Sequence, residues 1–249
     1  MVIPPEPVVG PPVVLIHGAW HEGHCWDAVA RVLRAQGHRV FAPTLPGRGP
    51  AADRYVGHAD CVAAVVALLE ERDLRGVVLG GHSLGGSIIQ AVADRIPERI
   101  GHLVFISGFV VCDGESVLAL YPPAYRTTVE RLSARAADRS VRLPYRLFRD
   151  QFMRETSERL ARDCYARLVP EPWRLLADPV ALPRFFDLDV PATYVHARDD
   201  RTLPADARWG WVPRMPRRLP ACACIDIEGG HESPYTSPDR LAAIIAGLR

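Results

Sequence analysis

A chain of 249 residues, 48% of them hydrophobic and with a formal net charge of +1, can bury a substantial core and at this size commonly folds as one domain. The near-neutral balance offers nothing to attract nucleic acid or an anionic membrane, so neither is expected as a partner. All thirty basic residues are arginine, which fits codon bias and excludes any mechanism built on a catalytic lysine.

Residues 1–12 are rich in proline and carry neither a basic start nor a continuous apolar run, so no signal peptide is expected. No stretch approaches the roughly 20 apolar residues of a membrane span, and a cytoplasmic location is expected. The run Val13 to Ile16 is short and wholly apolar, the pattern of a strand buried on both faces. Residues 25–36 read as a helix stopped by Gly37, and 39–42 as a second strand. A Pro/Gly loop over 43–50 and an apolar helix over 59–71 follow. Residues 76–79 form a third predicted strand, a helix runs from about 83 to 95, and 103–106 is a fourth strand. This alternation indicates a parallel sheet of about six strands with helices on both faces. From 109 to 189 the rhythm stops and mostly helical patterns, rich in arginine, proline and aromatics, take over. Strands resume at 192–195 and 221–227, and a helix closes the chain over 238–248. The core therefore comprises 13–108 and 190–249, and the stretch between is expected as an inserted helical lid. Cys25, Cys61, Cys112, Cys164, Cys222 and Cys224 match no zinc or C-x-x-C pattern and read as small, mostly buried thiols in a reducing compartment. No metal and no cofactor are expected.

The segment Gly81-His82-Ser83-Leu84-Gly85 matches G-x-S-x-G between a predicted strand and a predicted helix. In that context the serine sits on a sharp turn whose flanking glycines relieve clashes. Its hydroxyl meets a helix N-terminus, where negative charge is favoured. A hydroxyl needs a base to become nucleophilic, and elbows of this type order their partners Ser, acid, His along the chain. Only His102, His196 and His231 follow Ser83. His102 precedes a strand and falls at the wrong end of the sheet, and His196 ends one. His231 follows the last strand behind Gly229-Gly230, which lets a loop carry the imidazole over the sheet edge, and is the expected base. The acid belongs after the preceding strand, where Asp199 and Asp200 compete and local spacing does not separate them. One oxyanion amide is expected from Leu84, the other from Ala19 in the loop after the first strand, where Gly18 lets the backbone approach substrate.

The run from Val14 through His17-Gly18-Ala19-Trp20 to Trp26, then Gly37-His38-Arg39-Val40, resembles the small α/β-hydrolase family of plant methylesterases, hydroxynitrile lyases and bacterial pyrethroid-type esterases. Residues 92–100 and Asp113-Gly114-Glu115-Ser116 resemble its bacterial esterase branch. The resemblance is close over 13–116, looser over 190–249 and only generic between. It implies the α/β-hydrolase fold, and its acid register matches Asp200-Arg201-Thr202-Leu203-Pro204, so Asp200 is preferred over Asp199. It also supports Ala19 and Leu84 as oxyanion donors and a lid over the pocket. The family's cyanohydrin-cleaving lyases carry threonine where this chain has Gly18 and lysine where it has Glu232. A carboxylate there is expected to oppose departing cyanide, which argues against lyase chemistry. Relatives with aspartate at position 83, dehalogenases and epoxide hydrolases, are disfavoured too.

The expected function is hydrolysis of carboxylic esters of small or medium apolar molecules through an acyl-enzyme on Ser83, with a small-molecule substrate as partner and a homodimer left open. The alternatives are elimination, acyl transfer or cyclisation on a secondary metabolite by the same triad, and a non-catalytic small-molecule receptor. Gly18, Trp20, Tyr121, Tyr125 and Trp173 are the expected substrate contacts. Tyr145, Phe148, Phe152, Phe185 and Phe186 are further candidates for an apolar pocket, most of them expected to pack between helices instead.

Overall fold

A computed structural model describes residues 10–49 and 52–248. Most of the proline-rich start, residues 1–9, and the end of the 43–50 loop lie outside the described residues. Six strands form one parallel sheet: β1 Val13–Ile16, β2 Val40–Phe41, β3 Val77–His82, β4 Ile100–Ile106, β5 Ala192–Ala197 and β6 Ala223–Ile227. Their spatial order is β2-β1-β3-β4-β5-β6. The strands are those read from the sequence, with shifted ends. β3 continues through Gly80, Gly81 and His82, because neighbours on both sides supply ladder partners (Ile16 against Gly81, His82 against Ile106) that outweigh the weak strand preference of glycine. β2 shrinks to two residues at the sheet edge.

Alternate side chains of the strands build two cores. Val13, Leu15, Val78, Val104 and Val195 face helix α1 (Asp27–Ala35) and the closing helix Pro238–Ala246, packing on Trp26, Leu33, Leu241 and Ile245. Val14, Ile16, Leu79 and Phe105 face helices α2 (His58–Glu71) and α3 (Gly85–Arg95) together with the segment between β4 and β5. Helix α2 starts where the Gly57 N–H donates to the Asp60 carboxylate at 2.9 Å, satisfying an amide that the helix itself leaves free.

The chain between β4 and β5 carries helix α4 (Pro123–Ala134), a π-turn at Phe148–Phe152, and helices Glu158–Tyr165 and Trp173–Ala177. Because every strand is parallel, the loops leaving β1, β3, β5 and β6 emerge at one sheet edge. Those loops hold His17–Trp20, Ser83, Asp200 and His231.

Candidate active site

Ser83 follows β3 with φ of +52°, in the left-handed region that non-glycine residues rarely occupy. The turn is held by its own backbone: Ser83 N–H donates to Ile106 at 3.2 Å, and the Ser83 carbonyl accepts from Gly86 at 3.0 Å and Phe109 at 2.9 Å. Its glycines have steric causes. A Cβ on Gly81 would overlap the Gly85 carbonyl, and a Cβ on Gly85 would stand 2.6 Å from the Ile16 oxygen and 2.9 Å from the His17 oxygen. Backbone atoms cannot rotate away. Gly85→Ala is therefore expected to lower stability by about 1–3 kcal/mol, read as a fall in Tm of several degrees; an unchanged Tm would show that the turn tolerates the contact.

The His231 loop starts at Gly229, with φ of +97°. Asp200 is buried and its Oδ2 lies 2.6 Å from His231 Nδ1, so the ring donates there and leaves Nε2 as its acceptor nitrogen. Asp199, which local spacing did not separate from Asp200 and which the family register disfavoured, is exposed. Its N–H donates to the Gly229 carbonyl at 3.0 Å and its carboxylate accepts from Gly229 N–H at 3.3 Å, so it braces the loop. His102 sits on the Thr193 hydroxyl near the start of β4 and His196 on Asp226, both away from Ser83.

Thr202 supports Asp200. Its N–H and hydroxyl both donate to Asp200 Oδ1, at 2.9 and 2.6 Å, and Trp211 Nε1–H donates to its oxygen at 3.1 Å. The Trp211 ring stacks on His231 at 5.5 Å, Phe152 meets it edge-on at 5.2 Å, and His82 Nε2–H donates to the His231 carbonyl at 2.9 Å. Burial pushes the His231 imidazole down, yet the Asp200 charge and hydrogen bond outweigh it and hold the ring above its ordinary value. Burial likewise pushes the Asp200 carboxyl up, and His231 and Thr202 together bring it below its ordinary value. No hydrogen bond joins Ser83 to His231 among the described residues; the two meet as walls of one cavity. Such bonds commonly tighten only around substrate.

The N–H groups of Ala19 and Leu84 donate to no protein acceptor among the described residues. Trp20, with φ of +64°, donates its backbone N–H to Glu171 Oε2 at 2.6 Å and its indole N–H to the Val141 carbonyl at 2.9 Å. Arg48 in turn holds both Glu171 oxygens at 2.9 Å, with both side chains fully buried. Gly18 is not among the residues lining the cavity; its backbone lies against Ser83, where a Cβ would come within 2.9 Å of the serine Cβ.

The cavity measures about 230 Å³. Trp20, Tyr121 and Tyr125 line it, joined by Phe152, while Phe148 packs behind Phe152. Trp173 is not among the residues lining the cavity. It lies in a separate surface cleft with Tyr55 and Arg174, the Arg139 guanidinium 5.7 Å from its ring, because its helix turns that face outward. Tyr145, Phe185 and Phe186 are also outside the cavity. Phe109, Thr202, Leu203 and Trp211 line it without having been anticipated. Thr202 was within reach of sequence reasoning, two residues after Asp200; Trp211 sits in an irregular Arg/Pro-rich loop with no periodic signal. No aspartate, glutamate or arginine is among the lining residues.

A family model described as the alpha/beta hydrolase family matches residues 13–244. The chain belongs to this family. As an α/β-hydrolase it is 43% identical to a carbendazim-hydrolysing esterase of Nocardioides sp. over 114 residues, which make up 45% of this chain and 47% of that protein, so this match spans about half of the relative. It is 27% identical to the pyrethroid hydrolase of Sphingobium wenxiniae over 94% of this chain and 86% of that one. An extracellular α/β-hydrolase from a Paenibacillus species, described as sharing structural and functional homology with tobacco salicylic acid binding protein 2, superposes with a TM-score of 0.92 at 32% identity, over 96% of this chain and 99% of that one. Relatives named as esterases support hydrolysis of carboxylic esters in general.

Within this α/β-hydrolase, Glu232 does not face the cavity. It is fully buried and points to His21. The expectation that its charge acts on a departing group in the pocket is thus corrected: the position holds no cavity-facing cation, but for want of access. Among the described residues no cluster of three His, Cys, Asp or Glu side chains is placed to hold a metal, and no helix is long and apolar enough to cross a membrane.

Proposed function

We propose that this α/β-hydrolase is a serine esterase for neutral carboxylic esters with apolar acyl or alkoxy groups. The observation that carries the reading is that Ser83 and His231 wall the same uncharged cavity while Asp200 holds the far nitrogen of the ring. His231 Nε2 takes the Ser83 proton as Oγ bonds to the acyl carbon. The carbonyl oxygen becomes an oxyanion, held by the Ala19 and Leu84 N–H groups. The carbon–alkoxide bond breaks, His231 returns the proton to the leaving alcohol, and the acyl group stays on Ser83. Water then attacks, giving its proton to His231, and the acid leaves as Ser83 regains its hydrogen.

The stretch between β4 and β5 acts as the lid in this reading, supported by Tyr121, Tyr125 and Phe152, which it contributes to the walls. A cytoplasmic setting is supported by six free cysteines. The absence of charge from the walls favours neutral substrates, because a buried unpaired charge is costly. A fluorophosphonate is expected to add a single label on the peptide containing Ser83, found by mass spectrometry; no label there ends the reading. Free acid plus alcohol is the expected product pair, whereas an alkene or a transferred acyl group would move the assignment to elimination or transferase chemistry.

A further inference from the structure

The peptide between Ala19 and Trp20 is gripped at both ends. Its N–H donates to Glu171, which Arg48 pairs. Its carbonyl, that of Ala19, lies 2.8 Å from His21 Nδ1. The other nitrogen of the same ring, Nε2, lies 3.2 Å from Glu232 Oε2. Nδ1 meets an acceptor, and Nε2 stands within ion-pair distance of Glu232 without the alignment of a hydrogen bond. Burial pushes the His21 ring down, but the Glu232 carboxylate outweighs it and favours the imidazolium form. His21 and Glu232 are buried, with side-chain exposures of 2% and 1%. Water cannot screen the pair at that depth, so its geometry depends on both charges.

Glu232 is also the residue after His231, and its carbonyl accepts from Tyr235 and Thr236 to start the short helix Ser233–Thr236. The loop that presents the base and the loop that presents an oxyanion amide are far apart in the chain. Through this one pair they are tied together.

We propose that Glu232 and His21 are positioning residues: their buried ion pair fixes the Ala19–Trp20 peptide, and with it the Ala19 N–H, relative to the His231 loop. The proposal rests on the esterase reading above. Neither side chain lines the cavity, so they act through Ala19 and His231 and not on substrate. The charged and titratable groups facing His231 are Asp200 from the β5 loop, His82 at the end of β3, His21 from the β1 loop and Glu232 beside it.

The test compares wild type, Glu232→Gln and the double variant His21→Gln/Glu232→Gln. Rates are divided by the number of sites titrated with fluorophosphonate, and kcat, KM and the pH profile are read on an aryl ester. Glu232→Gln is expected to lower kcat about tenfold or more with KM within about twofold, because a displaced oxyanion donor is felt in the transition state. Its acid limb is expected to move to lower pH, since removing an anion beside His231 favours the neutral ring. A purely structural role would lower the yield of folded protein and leave per-site kcat where it was on the pH plateau, and that result overturns the proposal. If Glu232→Gln does not fold, the double variant, which leaves no buried charge unpaired, is read on per-site kcat alone, because losing His21 offsets the loss of the Glu232 charge at His231: a fall of about tenfold or more supports the proposal, and an unchanged per-site kcat overturns it. Wild-type protein that neither labels at Ser83 nor cleaves any ester defeats the esterase reading and this one with it. A labelled wild type beside an unaltered variant defeats this one alone.

Discussion

Ser83→Ala is expected to lower kcat on an aryl ester by about 10⁴- to 10⁶-fold while the protein stays folded. The substitution removes the atom that carries the acyl group, so His231 has no proton to take and no acyl-enzyme forms. Residual turnover would come from the two backbone amides and the cavity walls acting on water, which in such sites sustain a small rate above solution. Removing one hydroxyl from a turn held by backbone hydrogen bonds should leave Tm close to that of wild type. The decisive measurement is kcat in active protein of verified fold. A variant retaining a tenth of wild-type turnover would place the nucleophile elsewhere.

Asp200→Asn is expected to cost about 10⁴-fold in kcat with little change in shape. The argument is one of proton direction. Thr202 sends two donors to Oδ1, so asparagine must present its carbonyl oxygen there. Its amide NH₂ then faces His231 Nδ1, which becomes the acceptor. The ring proton moves to Nε2, and the base presents a hydrogen to Ser83 instead of a lone pair. The acid limb should move to lower pH as well, because the carboxylate that raises the His231 value has become neutral. Asp199→Asn is the matched control: exposed, and tied only to the Gly229 backbone, it should keep turnover within a few-fold of wild type. Equal losses at both positions would refute the assignment of Asp200.

The two aspartates show where reading a sequence reaches its limit. Adjacent residues on a loop share every local signal. The family register preferred Asp200, but the physical distinction comes from pairing β5 with β6, which sets Ala197 opposite Ile227 and leaves one carboxylate inward and the other to solvent. Trp173 shows the same limit from the other side. Aromatic content marked the stretch between β4 and β5 as a pocket builder, but which rings face the cavity depends on how each short helix is rotated. That is decided by long-range ties such as Glu171 to Trp20 and the bridge between Val141 and Glu171.

What the sequence determined by itself is the short-range chemistry. An apolar run ending in His17-Gly18, an elbow of G-x-S-x-G and a Gly-Gly-His after the last strand all declare themselves within a few residues, because steric needs in tight turns act locally. Chain order did the rest, since in a parallel sheet every strand ends at the same edge. The tertiary structure alone decided what lies beside those residues: the stacking of Trp211 on His231, the cavity free of Asp, Glu and Arg, and the burial of Glu232 against His21. Those contacts join residues distant in the chain, and their energies come from exclusion of water, a property that no local stretch of residues possesses until the chain has closed around it.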